Sequence, residues 1–258
     1  MLNSILIKEF RTQLRNRKYY TFAVFYVVII CVIAFTMFWS VATSKKPLSP
    51  EYGINLSFIF FTVQMLAIGT ICPGFAVYLI STERQNLTFD ILRLTLLKNY
   101  HIIFGKILPI ITYALILMFL SLPVALLIMP LNREMAYCYL IIFISAATFS
   151  LMGFAWSSIF KNARTAIVAT YIAVGIFAIG TVLVPVIISK VFQVKIAPIV
   201  ADLLNALNPF WTIFKGIDGT IWSMSVSIVP TWIVLVLGYL FLSAIAVIVS
   251  IIIRVFHL

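Results

Sequence analysis

Few residues in this chain are of types that perform chemistry, and their spacing assembles no catalytic site. The histidines His101 and His257 have no evident carboxylate or cysteine partner. The cysteines Cys31, Cys72 and Cys138 are odd in number, lack CxxC spacing and lie in apolar runs, which favours small packing residues over disulfides or metal ligands. No HExxH, GxSxG or GxxxxGK motif is present. We therefore expect no catalytic residue, metal site or cofactor in this chain.

The elements that must position any functional residue are membrane-spanning helices. The chain is 64% hydrophobic, only 10% charged and has a mean hydropathy of +1.17, whereas an ordinary soluble domain is about 25% charged. Six apolar runs reach the roughly 20 residues that a bilayer core requires. They are Tyr19 to Ala42, Leu56 to Ile80, Ile102 to Met129, Met135 to Phe160, Thr165 to Ile188, and Val226 to Val255. The predicted fold class is an all-α membrane protein with six transmembrane helices.

Basic residues are unequally divided between the two sides of these spans. Twelve of the 18 Lys and Arg residues fall on the side that holds both termini, and six fall on the other. Because cytoplasmic loops carry the excess of Lys and Arg, we expect a multi-pass protein of the cytoplasmic membrane with both termini cytoplasmic. This topology accounts for the net charge of +11, so no nucleic-acid partner is needed.

The N-terminal segment, residues 1–18, has the pattern of an amphipathic helix. Apolar residues recur at four-residue steps from Leu2 to Leu14, and basic residues such as Lys8 and Arg15 fall on the opposite side. A helix of this kind lies in the membrane surface with its basic face toward anionic headgroups. We predict an interfacial elbow helix at 1–18, followed by a six-helix domain at 19–258. The alternative is a basic anchor that only sets topology.

The interiors of the predicted spans lack ionisable residues, and Lys106 lies close enough to a cytoplasmic end to extend its amine to the interface. Carriers driven by a proton or sodium gradient need ion ligands or titrating groups in the interior of the membrane. Any uphill transport by this chain is therefore expected to draw its energy from another source. Pro73 and Gly74 interrupt span two and are a candidate hinge. Gly175 and Gly180 are candidates for close approach of another helix to span five.

The loop between spans two and three is the predicted docking place for an energy source. It is too polar to span, yet it carries apolar residues that need a protein or membrane surface to cover them. Thr82 and Gln85 fit a capping box, which predicts that a short helix begins there. The alternative is a solvated loop whose apolar residues rest on lipid.

Several short motifs resemble the type-2 permease family of ATP-binding-cassette transporters. They are Glu83-Arg84, the stretch Thr88 to Leu92, Gly105-Lys106, the stretch Lys8 to Arg17, and the stretch Leu207 to Phe210. The chain departs from the family pattern at Asn86 and Leu96, where glycine and proline are common. The resemblance implies a coupling helix that docks on an ATPase. Its residues here would be Glu83, Arg84, Leu87, Thr88, Phe89, Asp90, Leu92 and Arg93.

The resemblance also implies partners and an activity. Two permease chains, identical or paralogous, would pair, and two copies of a soluble ABC ATPase subunit would bind ATP and Mg and hydrolyse the nucleotide. The complex would be an exporter for an amphipathic or hydrophobic substrate such as a lipid, drug or peptide. The rival interpretation is a non-transporting membrane scaffold or assembly factor.

Residues 189–227 form the longest segment between spans. Pro198 is placed to begin a helix and Asn208-Pro209 to end one, and the aromatic run from Phe210 to Phe214 suits a second. In the resembled family this region forms re-entrant helices on the outer side. The alternative is an ordinary amphipathic loop helix.

Overall fold

The structure, a computed structural model, describes residues 11, 15, 17–43, 50–85, 99–160, 162–181, 183–184, 187, 198–219 and 231–256. Within these ranges the elements are helical and no strand occurs. The all-α fold class is therefore confirmed. Of the predicted elbow helix, only Arg11, Arg15 and the start of the first long helix at Arg17 are described, so the elbow remains a prediction.

Among the described residues, six helices are long and apolar enough to cross a membrane, as the sequence predicted. They are α1 (Arg17–Thr43), α2 (Pro50–Gln85), α3 (Asn99–Ile128), α4 (Arg133–Ile159), α5 (Ala163–Gly175, continued by a π-helical segment, Ile176–Gly180) and α8 (Thr231–Phe256). The largest difference from prediction is α2, which begins before Leu56 and continues beyond Ile80.

In the described part of the segment between α5 and α8 lie two short helices, α6 (Pro198–Ala206) and α7 (Pro209–Ile217). The predicted break at Asn208-Pro209 is confirmed. Pro198 lies in α6, but the residues just before it are outside the described part of the chain, so the helix start at Pro198 stays a prediction. Pro209 occupies the first turn of α7, where its missing N–H removes no helical hydrogen bond. Asn208 is the N-cap, and its side-chain oxygen accepts hydrogen bonds from the amides of Phe210 and Trp211 at 2.9 and 3.1 Å.

The hairpin between α3 and α4 is fixed by similar cap chemistry. Pro130 lies just after α3, and Asn132 caps α4 by accepting a hydrogen bond from the amide of Met135 at 3.0 Å. Glu134 adds a negative charge to the first turn of α4, where the helix dipole favours it. The short connection places α3 and α4 side by side and antiparallel.

Helices α2 and α4 form the centre of the bundle. In the spanning parts, 67% of the α4 residues and 56% of the α2 residues are buried, against 17% in α1 and in α5 and 22% in α8. The most extensive helix contact is between α2 and α4. Since the outer helices expose mostly apolar side chains, lipid or another chain must cover them.

Glycines at the centre allow the closest helix approach. A Cβ at Gly153 of α4 would lie 2.8 Å from the carbonyl oxygen of Pro73 and 3.3 Å from the Cβ of Ala76, both in α2. The predicted close approach at Gly175 and Gly180 is wrong for the described chain. A Cβ at Gly175 would meet nothing within 4 Å, and one at Gly180 would meet only Ile176 of its own turn. Both glycines lie on a peripheral helix, where little protein is packed.

Candidate substrate cleft and its supporting contacts

A cleft of about 560 Å³ opens between α1, α2 and α5. It is lined by Phe22 of α1, by Thr70, Ile71, Gly74, Phe75 and Tyr78 of α2, and by Ile167 and Tyr171 of α5. No charged side chain is among these residues. A concave site of this size, with apolar and aromatic walls and a few hydroxyl groups, suits a hydrophobic or amphipathic ligand.

The absence of a side chain at Gly74 makes room for the hydroxyl group of Tyr171. The Tyr171 hydroxyl donates a hydrogen bond to the carbonyl oxygen of Thr70 at 2.8 Å. A Cβ at Gly74 would lie 2.7 Å from that hydroxyl oxygen, closer than real Cβ contacts allow. Tyr171 therefore ties α5 to α2 one helical turn before Gly74 and closes one side of the cleft.

The candidate hinge, Pro73 and Gly74, lies inside the continuous helix α2 and is packed on two sides. Because proline has no N–H, the carbonyl of Gly69 lacks its usual helical donor. Gly153 of α4 contacts Pro73 on one side, and Tyr171 of α5 contacts Gly74 on the other. Any bending at this point must move α2 against both neighbours, and the hinge itself stays a prediction.

Aromatic contacts hold the α1 side of the cleft. The Tyr19 ring stacks on Phe75 with centroids 4.2 Å apart, and Phe22 meets Phe75 edge-on at 5.5 Å. Tyr113 of α3 donates a hydrogen bond from its hydroxyl to the carbonyl oxygen of Tyr19 at 2.8 Å. Since such ring pairs contribute about 0.5–1.5 kcal/mol beyond area burial, this cluster fixes α1 against α2 and α3.

A buried polar cluster joins three spans, and sequence reasoning missed it. Gln64 of α2 is fully buried and donates a hydrogen bond from Nε2 to the Ser121 hydroxyl of α3 at 2.7 Å. The Tyr139 hydroxyl of α4 lies 3.1 Å from the same Ser121 oxygen. A lone amide within the apolar run Phe58 to Ile71 was the signal available. In lipid such a group must find a partner inside the bundle.

Lys106 differs from its predicted environment. Its side chain is only 2% exposed, so it does not reach the surface of the chain. The reason is that this part of α3 is packed against α2 and α4, as the cluster of the adjacent Ile107 with Ile80 and Phe154 shows. Among the described residues, no group of three or more His, Cys, Asp or Glu side chains is placed to hold a metal ion.

The comparison with family models decides the identity of this bundle. The model described as ABC-2 type transporter matches residues 2–222, which is most of the 258-residue chain. The chain belongs to the ABC-2 type transporter family. It is a transmembrane permease component of an ABC transporter, a family in which a separate ATPase hydrolyses the nucleotide. No curated protein gives a significant match.

Most of the predicted coupling residues of this ABC-2 permease lie outside the described part of the chain. Glu83 and Arg84 lie in the last turn of α2. The others, Leu87, Thr88, Phe89, Asp90, Leu92 and Arg93, are not among the described residues. The predicted helix start at Thr82 is wrong, because α2 continues without a break from Pro50 to Gln85. Thr82 therefore lies inside the span helix.

Proposed function

We propose that this ABC-2 permease forms the translocation pathway of an ATP-driven exporter for an amphipathic or hydrophobic substrate. A second permease chain, identical or paralogous, and two ATPase subunits with bound ATP and Mg would complete the complex. The observation that carries this proposal is the apolar cleft between α1, α2 and α5. The outward direction rests on the family resemblance alone.

The exposure of the cleft walls supports a lipid-soluble substrate. Phe22 is 47% exposed and Tyr171 is 38% exposed, so the cleft opens on the apolar outer surface of the bundle. A substrate that partitions into lipid can enter from there without removing water from a charged group. A strongly charged solute would find no compensating charge among the described wall residues and would lose several kcal/mol on entry.

The continuity of α2 supports a route from the ATPase to the cleft. The same helix carries the cleft residues from Thr70 to Tyr78 and the predicted docking residues Glu83 and Arg84. At 1.5 Å per residue, Glu83 is only about 8 Å along the axis from Tyr78. A force applied at the end of a rigid helix therefore reaches the cleft wall directly.

The pathway is tested by filling the cleft. Ile71→Trp adds bulk inside it, whereas Leu66→Trp adds the same bulk on the 51% exposed face of the same helix. In vesicles reconstituted with the co-purifying ATPase, we expect Ile71→Trp to reduce movement of a fluorescent phospholipid at least five-fold. Leu66→Trp should transport normally. Equal transport by both variants would contradict the assignment of the cleft.

Docking is tested separately by the double charge reversal Asp90→Arg with Arg93→Asp. We expect the ATPase to be lost during purification and substrate-stimulated ATP hydrolysis to disappear. The control is the pair Lys45→Glu and Lys46→Glu, in the connection between the first two spans, which is predicted to lie on the opposite side of the membrane. Normal co-purification and coupling in the first double variant would show that the ATPase docks elsewhere.

A further inference from the structure

A second cleft, separate from the first, lies where α7 packs against α2 and the end of α5. Its volume is about 450 Å³, and its apolar walls include Phe58, Ile179, Leu183, Phe210, Trp211 and Phe214. Phe58 is 12 residues before Thr70 in α2, which separates the two clefts by about 18 Å along the helix. The proposed transport pathway does not use this second cleft.

Asn208 builds the inner end of this cleft and has no hydrogen-bonding capacity left for a ligand. It is 1% exposed. Its Nδ2 donates to the carbonyl oxygen of Ala178 and to the Thr181 hydroxyl. Its Oδ1 accepts hydrogen bonds from the first amides of α7. Because an asparagine amide offers two donors and one carbonyl acceptor with two lone pairs, all of its sites are occupied.

The described walls of the cleft therefore suit a hydrocarbon chain. The remaining lining is aliphatic and aromatic, apart from the Trp211 indole. Ile179 is 59% exposed and Leu183 is 46% exposed, so one side of the cleft opens laterally on the apolar surface of the bundle. A lipid acyl chain can reach it from the bilayer without passing through water. A cleft of about 450 Å³ is within the usual size range of ligand sites.

A cation lies beside Trp211, one of the wall residues of the cleft. The Lys215 amine lies 5.9 Å from the centroid of the Trp211 ring, and it forms no ion pair with any residue that the structure describes. Aromatic residues and lysine together are typical of the level of lipid headgroups. A phosphate bound by Lys215 would thus lie next to Trp211, which forms part of the wall around a hydrocarbon chain held in the cleft.

We propose that this second cleft binds one acyl chain of an anionic phospholipid, with the lipid phosphate paired to Lys215. The bound chain would pack between the π-helical segment of α5 and α7, the two elements that Asn208 joins. Lys215 has no carboxylate partner in the described chain, so its positive charge is available to a lipid headgroup. A headgroup with net negative charge is attracted to this amine more strongly than a zwitterionic one, and we therefore expect an anionic lipid.

The test is native mass spectrometry of the full-length permease in detergent, with added phosphatidylglycerol or phosphatidylcholine of identical acyl chains. We expect wild-type protein to bind phosphatidylglycerol about five-fold more tightly, which corresponds to about 1 kcal/mol. Lys215→Gln should abolish this preference, and Lys215→Arg should keep it. Arg133→Gln removes an exposed cation at the start of α4, outside the cleft, and should change nothing.

Two further binding measurements distinguish a site that holds an acyl chain from a site that binds only phosphate. Leu183→Trp fills the cleft and should weaken binding of both lipids, while inorganic phosphate at millimolar concentration should not displace phosphatidylglycerol. Equal binding of the two lipids to wild-type protein would overturn the proposal, as would an unchanged preference in Lys215→Gln. Full displacement by inorganic phosphate, or normal binding in Leu183→Trp, would show that no acyl chain occupies the cleft.

Discussion

The pairing of Gly74 with Tyr171 makes a double-variant cycle the sharpest test of the cleft geometry. In Gly74→Ala, the new methyl group would lie 2.7 Å from the Tyr171 hydroxyl oxygen but 3.9 Å from the ring carbon that carries it. The clash is therefore with the hydroxyl group alone. Removing that hydroxyl in Tyr171→Phe should make alanine acceptable at position 74.

Three contributions determine the expected changes in the free energy of unfolding. Tyr171→Phe loses the hydrogen bond to the Thr70 carbonyl, a cost of about 0.5–1.5 kcal/mol. Gly74→Ala forces the same hydroxyl away and adds about 1–3 kcal/mol of overpacking, against a gain of about 1 kcal/mol in helix propensity. The double variant loses the hydrogen bond only once and keeps the propensity gain. We expect it to be about 1.5–4.5 kcal/mol more stable than the sum of the single changes, because it avoids the second loss of the hydrogen bond and the overpacking.

The assay is thermal denaturation in detergent, followed by size-exclusion chromatography of the protein that remains folded. We expect Gly74→Ala to melt lowest, and the double variant to melt at or above Tyr171→Phe. The matched control cycle uses Gly175→Ala with Tyr171→Phe, because a Cβ at Gly175 meets nothing within 4 Å, and it should be additive. Additive melting shifts in the Gly74 cycle would refute the inferred contact.

Three further predictions concern the centre and the end of the bundle. Gly153→Ala should lower the melting temperature by several degrees, because a backbone oxygen 2.8 Å away cannot rotate aside; a melting point equal to wild type would contradict this. Pro73→Ala should lower transport in reconstituted vesicles while leaving ATPase co-purification intact, and normal transport would remove the hinge hypothesis. Asn208→Ala should lower the free energy of unfolding by about 1 kcal/mol or more, because it removes the α7 cap and the Nδ2 hydrogen bonds to Ala178 and Thr181; a melting temperature equal to wild type would show that these hydrogen bonds are unimportant.

The six spans were predictable because each is a local property of the chain. A run of about 20 apolar residues must cross the bilayer as a helix whatever its neighbours are, since lipid offers no partner for backbone groups. The break at Asn208-Pro209 was likewise local, because proline begins a helix and asparagine caps it. The prediction of a helix start from the capping box at Thr82 was wrong for a related reason. Its spacing is short and degenerate, and the preceding span simply continued through it.

The contacts that build the site were not predictable, because they join residues far apart in the chain. Gln64 and Ser121 are separated by 57 positions, and Tyr171 and Thr70 by 101. Glycine spacing alone favoured Gly175 and Gly180, but only the packing order of the helices could show that Gly153 is where α4 approaches the backbone of α2 closely. The burial of Lys106 also depends on which helices surround α3.

The sequence by itself determined that this protein is a six-span membrane bundle with the motifs of a permease, because span length and apolar composition act locally. Only the tertiary structure decided that α2 and α4 form the core and that an apolar cleft lies between α1, α2 and α5. In a chain where nearly every span is apolar on all sides, hydrophobicity does not determine which helices pack against one another. Helix packing is determined instead by steric fit at glycines and by the few polar side chains that need hydrogen-bond partners.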